Sequence, residues 1–215
     1  MIPEAEGRIG PNAVTRLAEA LDELAGAPVT DTVFGAAGLL RYRQAPPSTM
    51  VDEAVVTALH AALRNSLAPA DATTVARRAG VLTGDYLLEN RIPAAVRALL
   101  RALPAPWAAR LLVRAMAQHA WTFAGSGAFS TVALPGRSEP PTIAHPEAGS
   151  GHPRLRLAVS NCPLCRGATS PAPACDYFAA TFERLFTALV SDSATVRETD
   201  CQAAGASACR FEVSW

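Results

Sequence analysis

The chain has 215 residues, half of them apolar, and its basic and acidic residues balance to a formal net charge of zero. This balance argues against a nucleic-acid partner, because such binding needs a basic surface. All 19 basic residues are arginine, which excludes lysine Schiff-base and phosphate-loop chemistry. The length suits a single domain over residues 1–215, with a mainly helical part at 1–125 and a sheet-containing part at 126–215.

The predicted helices dominate the first 125 residues. Proline in the first turn starts the first helix, Asp52 opens a later one, and Asp71 caps the next, which Gly80 and Gly84 weaken. The predicted segments are 11–24, a glycine-containing stretch at 30–42, 52–67, 71–90, 93–103 and 106–124. The last of these is interrupted by charged residues and cannot span a bilayer. The N-terminus shows no secretory pattern, so we expect a cytoplasmic protein.

The pattern changes after residue 125. Strands are predicted at 128–134 and 154–160, separated by a proline- and glycine-rich loop at 135–153. An amphipathic helix follows at 175–189, and a hairpin at 195–199 and 208–215 turns at Gly205. The order helices-β-β-α-β-β predicts an α+β fold with N-terminal helices packed on a small antiparallel sheet.

All five cysteines lie between residues 162 and 209. In a reducing compartment such crowding is typical of metal ligands rather than disulfides, and thiolates favour zinc. The hairpin brings Glu198, Cys201 and Cys209 together, and Cys175 starts the preceding helix. Spacing alone leaves a second ligand set open, in which the C-x-x-C pair Cys162 and Cys165 replaces Cys175 and Glu198.

The C-terminal segment Glu198-Thr-Asp-Cys201, Gly205 and Cys209-Arg-Phe211 resembles the signature motif of the 4-vinyl reductase domain family. Cys175 matches a further cysteine of that family, at the start of the preceding helix. The resemblance implies that Cys175, Glu198, Cys201 and Cys209 bind Zn²⁺. It also implies the ligand-binding fold shared with transport-particle subunits and nitric-oxide-signalling proteins, and a homodimer.

Three further segments, at 8–13, 161–167 and 175–185, resemble the stand-alone family members of bacteriochlorophyll gene clusters. This implies a role with a Mg-porphyrin or chlorophyllide, alongside enzymes of pigment synthesis and, as one option, at the periphery of the photosynthetic membrane. The family name implies reduction of a vinyl group, which needs a hydride donor. Gly35-Ala-Ala-Gly38 falls short of a dinucleotide motif, and zinc would leave too few cysteines for a cysteine-ligated iron–sulfur cluster. We therefore predict a pigment-binding accessory protein, with the reductase and a small-aromatic sensor as alternatives.

Candidate pigment contacts come from helical spacing. Met116, His119 and Phe123 share one face of the helix predicted at 106–124, so His119 could ligate magnesium. Trp121 and Phe123 are candidate stacking residues, and His60 is a second candidate ligand. For each of these residues, ordinary core packing is the alternative. The pair Cys162 and Cys165 fits a redox dithiol, a second or exchanged metal site, or loop packing.

Overall fold

The computed structural model describes residues 7–134 and 153–215. Its first part is mainly helical. The helices are α1 (Asn12–Leu24), α2 (Ala27–Ala36), α3 (Arg41–Gln44), α4 (Glu53–Ser66), α5 (Pro69–Asn90), α6 (Ala94–Ala102), α7 (Ala105–Gln118), α8 (Trp121–Ala124) and, between the later strands, α9 (Asp176–Leu189).

The strands form two antiparallel sheets. A two-stranded sheet pairs β1 (Arg8–Ile9) with β2 (Val51–Asp52). The four-stranded sheet contains β3 (Ala128–Ala133), β4 (Pro153–Ser160), β5 (Thr195–Asp200) and β6 (Cys209–Ser214), in the spatial order β3-β4-β6-β5. The α+β prediction and the order helices-β-β-α-β-β are confirmed. The predicted loop at 135–153 lies outside the described residues, apart from Pro153, which begins β4.

Local chemistry explains most helix starts. The Asp52 carboxylate accepts a hydrogen bond of 2.8 Å from the Ala54 backbone N–H, which caps α4 as predicted. The predicted start of α5 at Asp71 is wrong. The helix begins at Pro69, because proline fits the first helical position, where no backbone N–H is needed. The stretch predicted at 30–42 is divided by Gly38, whose φ is +71°.

The continuous helix predicted at 106–124 is also wrong. Helix α7 ends at Gln118, and His119 and Ala120 lead into the single turn of α8. Thr122 closes this corner, since its hydroxyl donates 2.8 Å to the His119 carbonyl, and its own carbonyl accepts 2.8 Å from the Gly10 N–H. A contact with the N-terminal segment therefore redirects the chain, which local periodicity does not reveal.

Helix α9 is the central element, packed against α5 on one side and the four-stranded sheet on the other. Phe178 and Phe182 of α9 meet Phe211 of β6 edge to face, with ring centroids 6.4 and 5.3 Å away. This contact fixes the N-terminal end of α9, where Cys175 lies, against the hairpin. None of the helices in the described segments is both long and apolar enough to cross a membrane.

Candidate metal centre

Four structural elements bring the cysteines together. Cys209 opens β6 and pairs with Val159 of β4, so the loop that follows β4 carries Cys162 and Cys165 to the same end of the sheet. Cys175 is the residue before α9, and Cys201 follows β5. All five cysteines are reduced and at most 1% exposed. The core of this fold thus contains one thiol cluster.

The sulfur atoms lie at contact distances. The Sγ of Cys209 is 3.6 Å from that of Cys175, 3.8 Å from that of Cys201 and 3.4 Å from that of Cys165. The Sγ of Cys175 is 3.9 Å from that of Cys201 and 3.6 Å from that of Cys162. Cys175 and Cys209 are therefore the centre of the cluster, with the other thiols on two sides.

Glu198 joins the cluster through an irregularity in β5. The register between β5 and β6 shifts between Glu198 and Asp200. The Glu198 Oε2 accepts a hydrogen bond of 2.7 Å from the Cys175 backbone N–H. Its Oε1 is buried and has no hydrogen-bond partner within the described part of the chain. A buried carboxylate oxygen without a partner is costly, and a bound cation would remove that cost.

The charges of the cluster work against one another. Burial first, and then the neighbouring Cys201 thiolate, raise the pKa of Glu198 to about 9. Cys165 raises the pKa of Cys201, but hydrogen bonds from Cys175 and Cys209 outweigh this effect and lower it to about 6. The pKa of Cys175 is raised well above its usual value, mainly by its contact with Cys162. Without a cation, the site cannot hold all its acidic groups ionised.

The donors fit a thiolate-binding metal in two overlapping groups. One contains Cys175, Glu198, Cys201 and Cys209, and within each group the ligand atoms lie within 4.8 Å of one another. The other contains Cys162, Cys165, Cys175 and Cys209. The C-x-x-C pair is thus grouped with Cys175 and Cys209, and not with Cys201 and Cys209 as the second predicted ligand set requires. Soft thiolates in a closed, buried arrangement suit Zn²⁺.

Two residues that the sequence did not single out support this loop. Gln202 accepts a hydrogen bond of 2.6 Å from the Cys162 N–H and donates its own N–H to the Cys209 Sγ at 3.4 Å. Arg166, directly after Cys165, donates 2.5 Å to the Glu53 carboxylate. Glu53 also accepts bonds of 2.7 and 2.8 Å from Ser126. Only the position of Arg166 beside Cys165 gave a signal in the sequence.

The predicted pigment contacts fall into two environments. Met116 is buried, and Phe123 is half-buried, edge to face with Phe129 at 5.4 Å and with Phe178 at 5.9 Å. Trp121 is 46% exposed. His119 is exposed and does not share the buried face of Met116, because α7 has already ended. Its Nδ1 lies 2.9 Å from the Ala115 carbonyl oxygen.

His60 lies in the core. It is 2% exposed and meets the Tyr177 ring edge to face at 5.4 Å, and its Nε2 has no hydrogen-bond partner among the residues described. Burial, followed by the charge of Arg64, lowers the pKa of His60 to about 3, so the imidazole is neutral. Its position suits core packing, while the exposed pair His119 and Trp121 faces the surroundings of the protein.

A pocket of about 270 Å³ opens where α5, α6 and α9 meet. Its lining is mostly charged, and comprises Asp85, Leu88, Glu89, Arg97, Arg101 and Arg184. An apolar macrocycle would find few partners there. Large apolar side chains are exposed elsewhere, including Trp107 and Leu111 on α7, Trp121 on α8 and Val132 on β3.

Comparisons with known proteins agree with this arrangement. Residues 155–214, which span β4 to β6 and include all five cysteines, match the model of the 4-vinyl reductase domain. The chain is 43% identical over 211 residues to the bacteriochlorophyll synthase 23 kDa chain of Cereibacter sphaeroides, covering 98% of this chain and 92% of the relative. It is 37% identical over 206 residues to the protein of the same name from Rhodobacter capsulatus, covering 96% and 86%.

Proposed function

Because the chain belongs to the family of the bacteriochlorophyll synthase 23 kDa chains and carries a 4-vinyl reductase domain, we propose that it is a zinc-containing accessory protein of bacteriochlorophyll biosynthesis. In this role it binds a Mg-porphyrin or chlorophyllide intermediate and presents it to enzymes of pigment synthesis. The observation that carries the proposal is similarity over nearly the whole chain to relatives that bear this name.

The zinc part of the proposal rests on the ligand set Cys175, Glu198, Cys201 and Cys209. Their side chains converge from β5, β6 and the start of α9, and Glu198 keeps one buried oxygen free of hydrogen bonds among the described residues. Bound Zn²⁺ would cross-link these elements and offset the thiolate charge. The chain's own contribution is to hold α9 at a fixed position against the hairpin.

The pigment part rests on the corner between α7 and α8. If Nδ1 of His119 donates its proton to the Ala115 carbonyl, the Nε2 lone pair is free to accept a metal. Histidine ligands commonly have their second ring nitrogen oriented in this way. Trp121, two residues later and 46% exposed, offers a flat apolar surface beside the imidazole. His119 would ligate the magnesium, and Trp121 would contact the macrocycle.

The centre of this corner is linked to the metal centre. Phe123 of α8 contacts Phe178 of α9 with ring centroids 5.9 Å apart, and Phe178 lies three residues after Cys175. Met116 and Phe123 therefore support the pigment surface from beneath, while the metal ligands fix α9. His60 belongs to the core on this interpretation and does not touch the pigment.

Pigment titration tests the proposal. Purified protein should shift the absorption of a Mg-porphyrin or chlorophyllide at micromolar concentration. His119→Leu should remove the axial-ligand shift and weaken binding about tenfold, which corresponds to about 1.4 kcal/mol. Trp121→Ala should weaken binding several-fold. Trp107→Ala is the matched control, since Trp107 is also exposed but lies on α7 far from the corner in sequence, and its affinity should change less than twofold.

Three results would argue against this function. Pigment that is neither shifted nor quenched would contradict binding. Equal effects of the two tryptophan variants would contradict the site at the corner. Turnover of divinyl to monovinyl pigment by the purified protein with a reductant would replace the accessory role by the reductase, and tight phenol binding without porphyrin binding would favour the sensor.

A further inference from the structure

We propose that the thiol cluster binds two Zn²⁺ ions rather than one, and that the thiolates of Cys175 and Cys209 bridge them. This inference rests on the zinc site of the proposed function and extends it. The first ion takes Glu198 and Cys201 as its remaining ligands. The second ion takes Cys162 and Cys165.

The number and arrangement of the donors point to this composition. Two tetrahedral ions that share two ligands need six donors, and the cluster supplies five thiols and one carboxylate. The two close groups of four share two members, Cys175 and Cys209. Each thiol of the C-x-x-C pair contacts a different shared cysteine, Cys162 at Cys175 and Cys165 at Cys209. A single tetrahedral ion would leave two of these buried donors unused.

The distances are those of metal-sharing sulfurs. A tetrahedral ion with Zn–S bonds of about 2.3 Å separates its sulfur ligands by about 3.8 Å. The triangle of Cys175, Cys201 and Cys209 has edges of 3.6, 3.8 and 3.9 Å. On the other side of the shared edge, the contacts made by Cys162 and Cys165 measure 3.6 and 3.4 Å. Both sides of the cluster are therefore compact enough for one ion each.

Charge also favours two ions. When all six groups are ionised, one Zn²⁺ leaves four negative charges uncompensated, whereas two ions leave only two. The three arginines adjacent in sequence to ligands already contact carboxylates. Arg166 contacts Glu53, Arg197 lies 4.0 Å from Glu212, and Arg210 lies 3.7 Å from Asp200. Buried thiolates need a compensating cation, and the second ion supplies it.

The competing arrangement has one ion and two protonated thiols. In that case Cys162 and Cys165 donate weak S–H hydrogen bonds to the thiolates of Cys175 and Cys209. This arrangement satisfies the observed contacts as well, but it binds half as much metal and leaves a free dithiol. Metal stoichiometry therefore separates the two arrangements.

The first experiment counts zinc in the full-length protein, purified under reducing, oxygen-free conditions, by native mass spectrometry and elemental analysis. Two ions per chain are expected. One ion per chain would overturn the two-ion centre but leave the zinc-containing accessory role intact. No zinc would overturn both, while pigment titration still tests the pigment part of that role separately.

Reciprocal variants locate the two ions. Cys162→Ser/Cys165→Ser should bind one ion, because Cys175, Glu198, Cys201 and Cys209 remain. Cys201→Ser should also bind one, held by the four other cysteines. Two ions in the Cys162→Ser/Cys165→Ser variant would place the second ion outside the cluster and overturn the inference.

Cobalt substitution tests the bridge and does not depend on any variant. Thiolate-bridged Co²⁺ ions couple magnetically, so the paramagnetic signal should rise with the first equivalent added to metal-free protein and fall with the second. The Cys162→Ser/Cys165→Ser variant should instead reach a constant signal at one equivalent. A wild-type signal that doubles steadily up to two equivalents would show separate ions and contradict the bridge.

Discussion

Cys209 has the largest number of sulfur contacts described above, and it begins the strand at the centre of the hairpin. Its Sγ lies within 3.8 Å of the Sγ atoms of Cys165, Cys175 and Cys201, and it also accepts the Gln202 N–H. It is fully buried. A change at this atom therefore affects the metal, the hairpin and the start of α9 together.

We expect Cys209→Ser to lose most of its bound zinc and to lower the melting temperature by about 10 °C, since metal binding contributes directly to folding and a few kcal/mol produce such a shift at this size. Elemental analysis and thermal unfolding measure the two effects. Ser207→Ala is the control on the same hairpin, because the exposed Ser207 hydroxyl contacts only Arg210 among the bonds resolved there. Unchanged zinc in Cys209→Ser would contradict the assignment.

The buried ion pair of Glu53 and Arg166 predicts a pH dependence. Burial tends to raise the pKa of Glu53, but hydrogen bonds from Arg166 and Ser126 outweigh it and lower the pKa to about 2 from 4.5. A lowered carboxyl pKa stabilises the folded state above pH 4.5, and this contribution is lost as the pH falls toward 2. Its size is about 3 kcal/mol at neutral pH.

Glu53→Gln tests this pair. The difference in unfolding free energy between the wild type and the variant should be about 3 kcal/mol at pH 7 and should shrink steadily below pH 4.5. Urea unfolding at several pH values measures it, and acid release of metal affects both proteins alike. A difference that stays constant from pH 7 to pH 3 would contradict the ion-pair origin.

At the scale of elements, α5 and α9 meet through two glycines. A Cβ built on Gly80 would lie 2.3 Å from the Tyr177 carbonyl oxygen and 2.9 Å from the Ala180 Cβ. One on Gly84 would lie 2.7 Å from the Arg184 Cβ. The sequence analysis treated these glycines as a weakness of the helix. In the fold they permit the close approach that positions α9.

We therefore expect Gly80→Ala to destabilise the protein by about 1–3 kcal/mol, because overpacking against a backbone carbonyl outweighs the gain in helix propensity. Gly35→Ala is the matched control. Gly35 is an exposed helical glycine whose Cβ would meet only Leu40 at 3.9 Å, so this variant should be stabilised by about 0.5–1 kcal/mol. Chemical denaturation compares the two, and a stabilised Gly80→Ala would contradict the packing argument.

The sequence predicted elements with strong local signals and missed corners made by distant contacts. The strands, α4 and α9 follow from alternation, capping and helical periodicity, and they were placed to within one or two residues. The break after Gln118 depends on Gly10 bonding Thr122, more than 100 positions away. The line of His119 with Met116 failed for that reason, and nothing local indicated it.

The metal centre was predictable in composition but not in connectivity. Crowded cysteines, the hairpin and the family motif identified Cys175, Glu198, Cys201 and Cys209 as a group. The position of Cys162 and Cys165 depends on the pairing of Val159 with Cys209 across β4 and β6, which spacing cannot give. Which of the six donors hold metal stays a prediction, as does the homodimer.

At the scale of the molecule, the metal centre and the corner of α7 and α8 are joined by the aromatic side chains of α9. Phe178 contacts Phe123 at 5.9 Å and Phe211 at 6.4 Å, so one ring touches both α8 and the hairpin. The N-terminal helices have their own core, with Leu17, Leu21 and Leu59 fully buried. Loss of metal should therefore loosen the sheet end first.

Metal removal tests this division. Chelation under reducing conditions should raise hydrogen exchange in β5, β6 and the first turns of α9, while α1 and α4 stay protected, because their contacts do not include the cluster. The same treatment should weaken pigment binding several-fold, since Phe178 then supports Phe123 less firmly, and restored Zn²⁺ should recover it. If exchange rises at the hairpin but pigment affinity is unchanged, the corner binds independently of the metal. Uniform exchange over the whole chain would instead mean that the ion stabilises both halves equally.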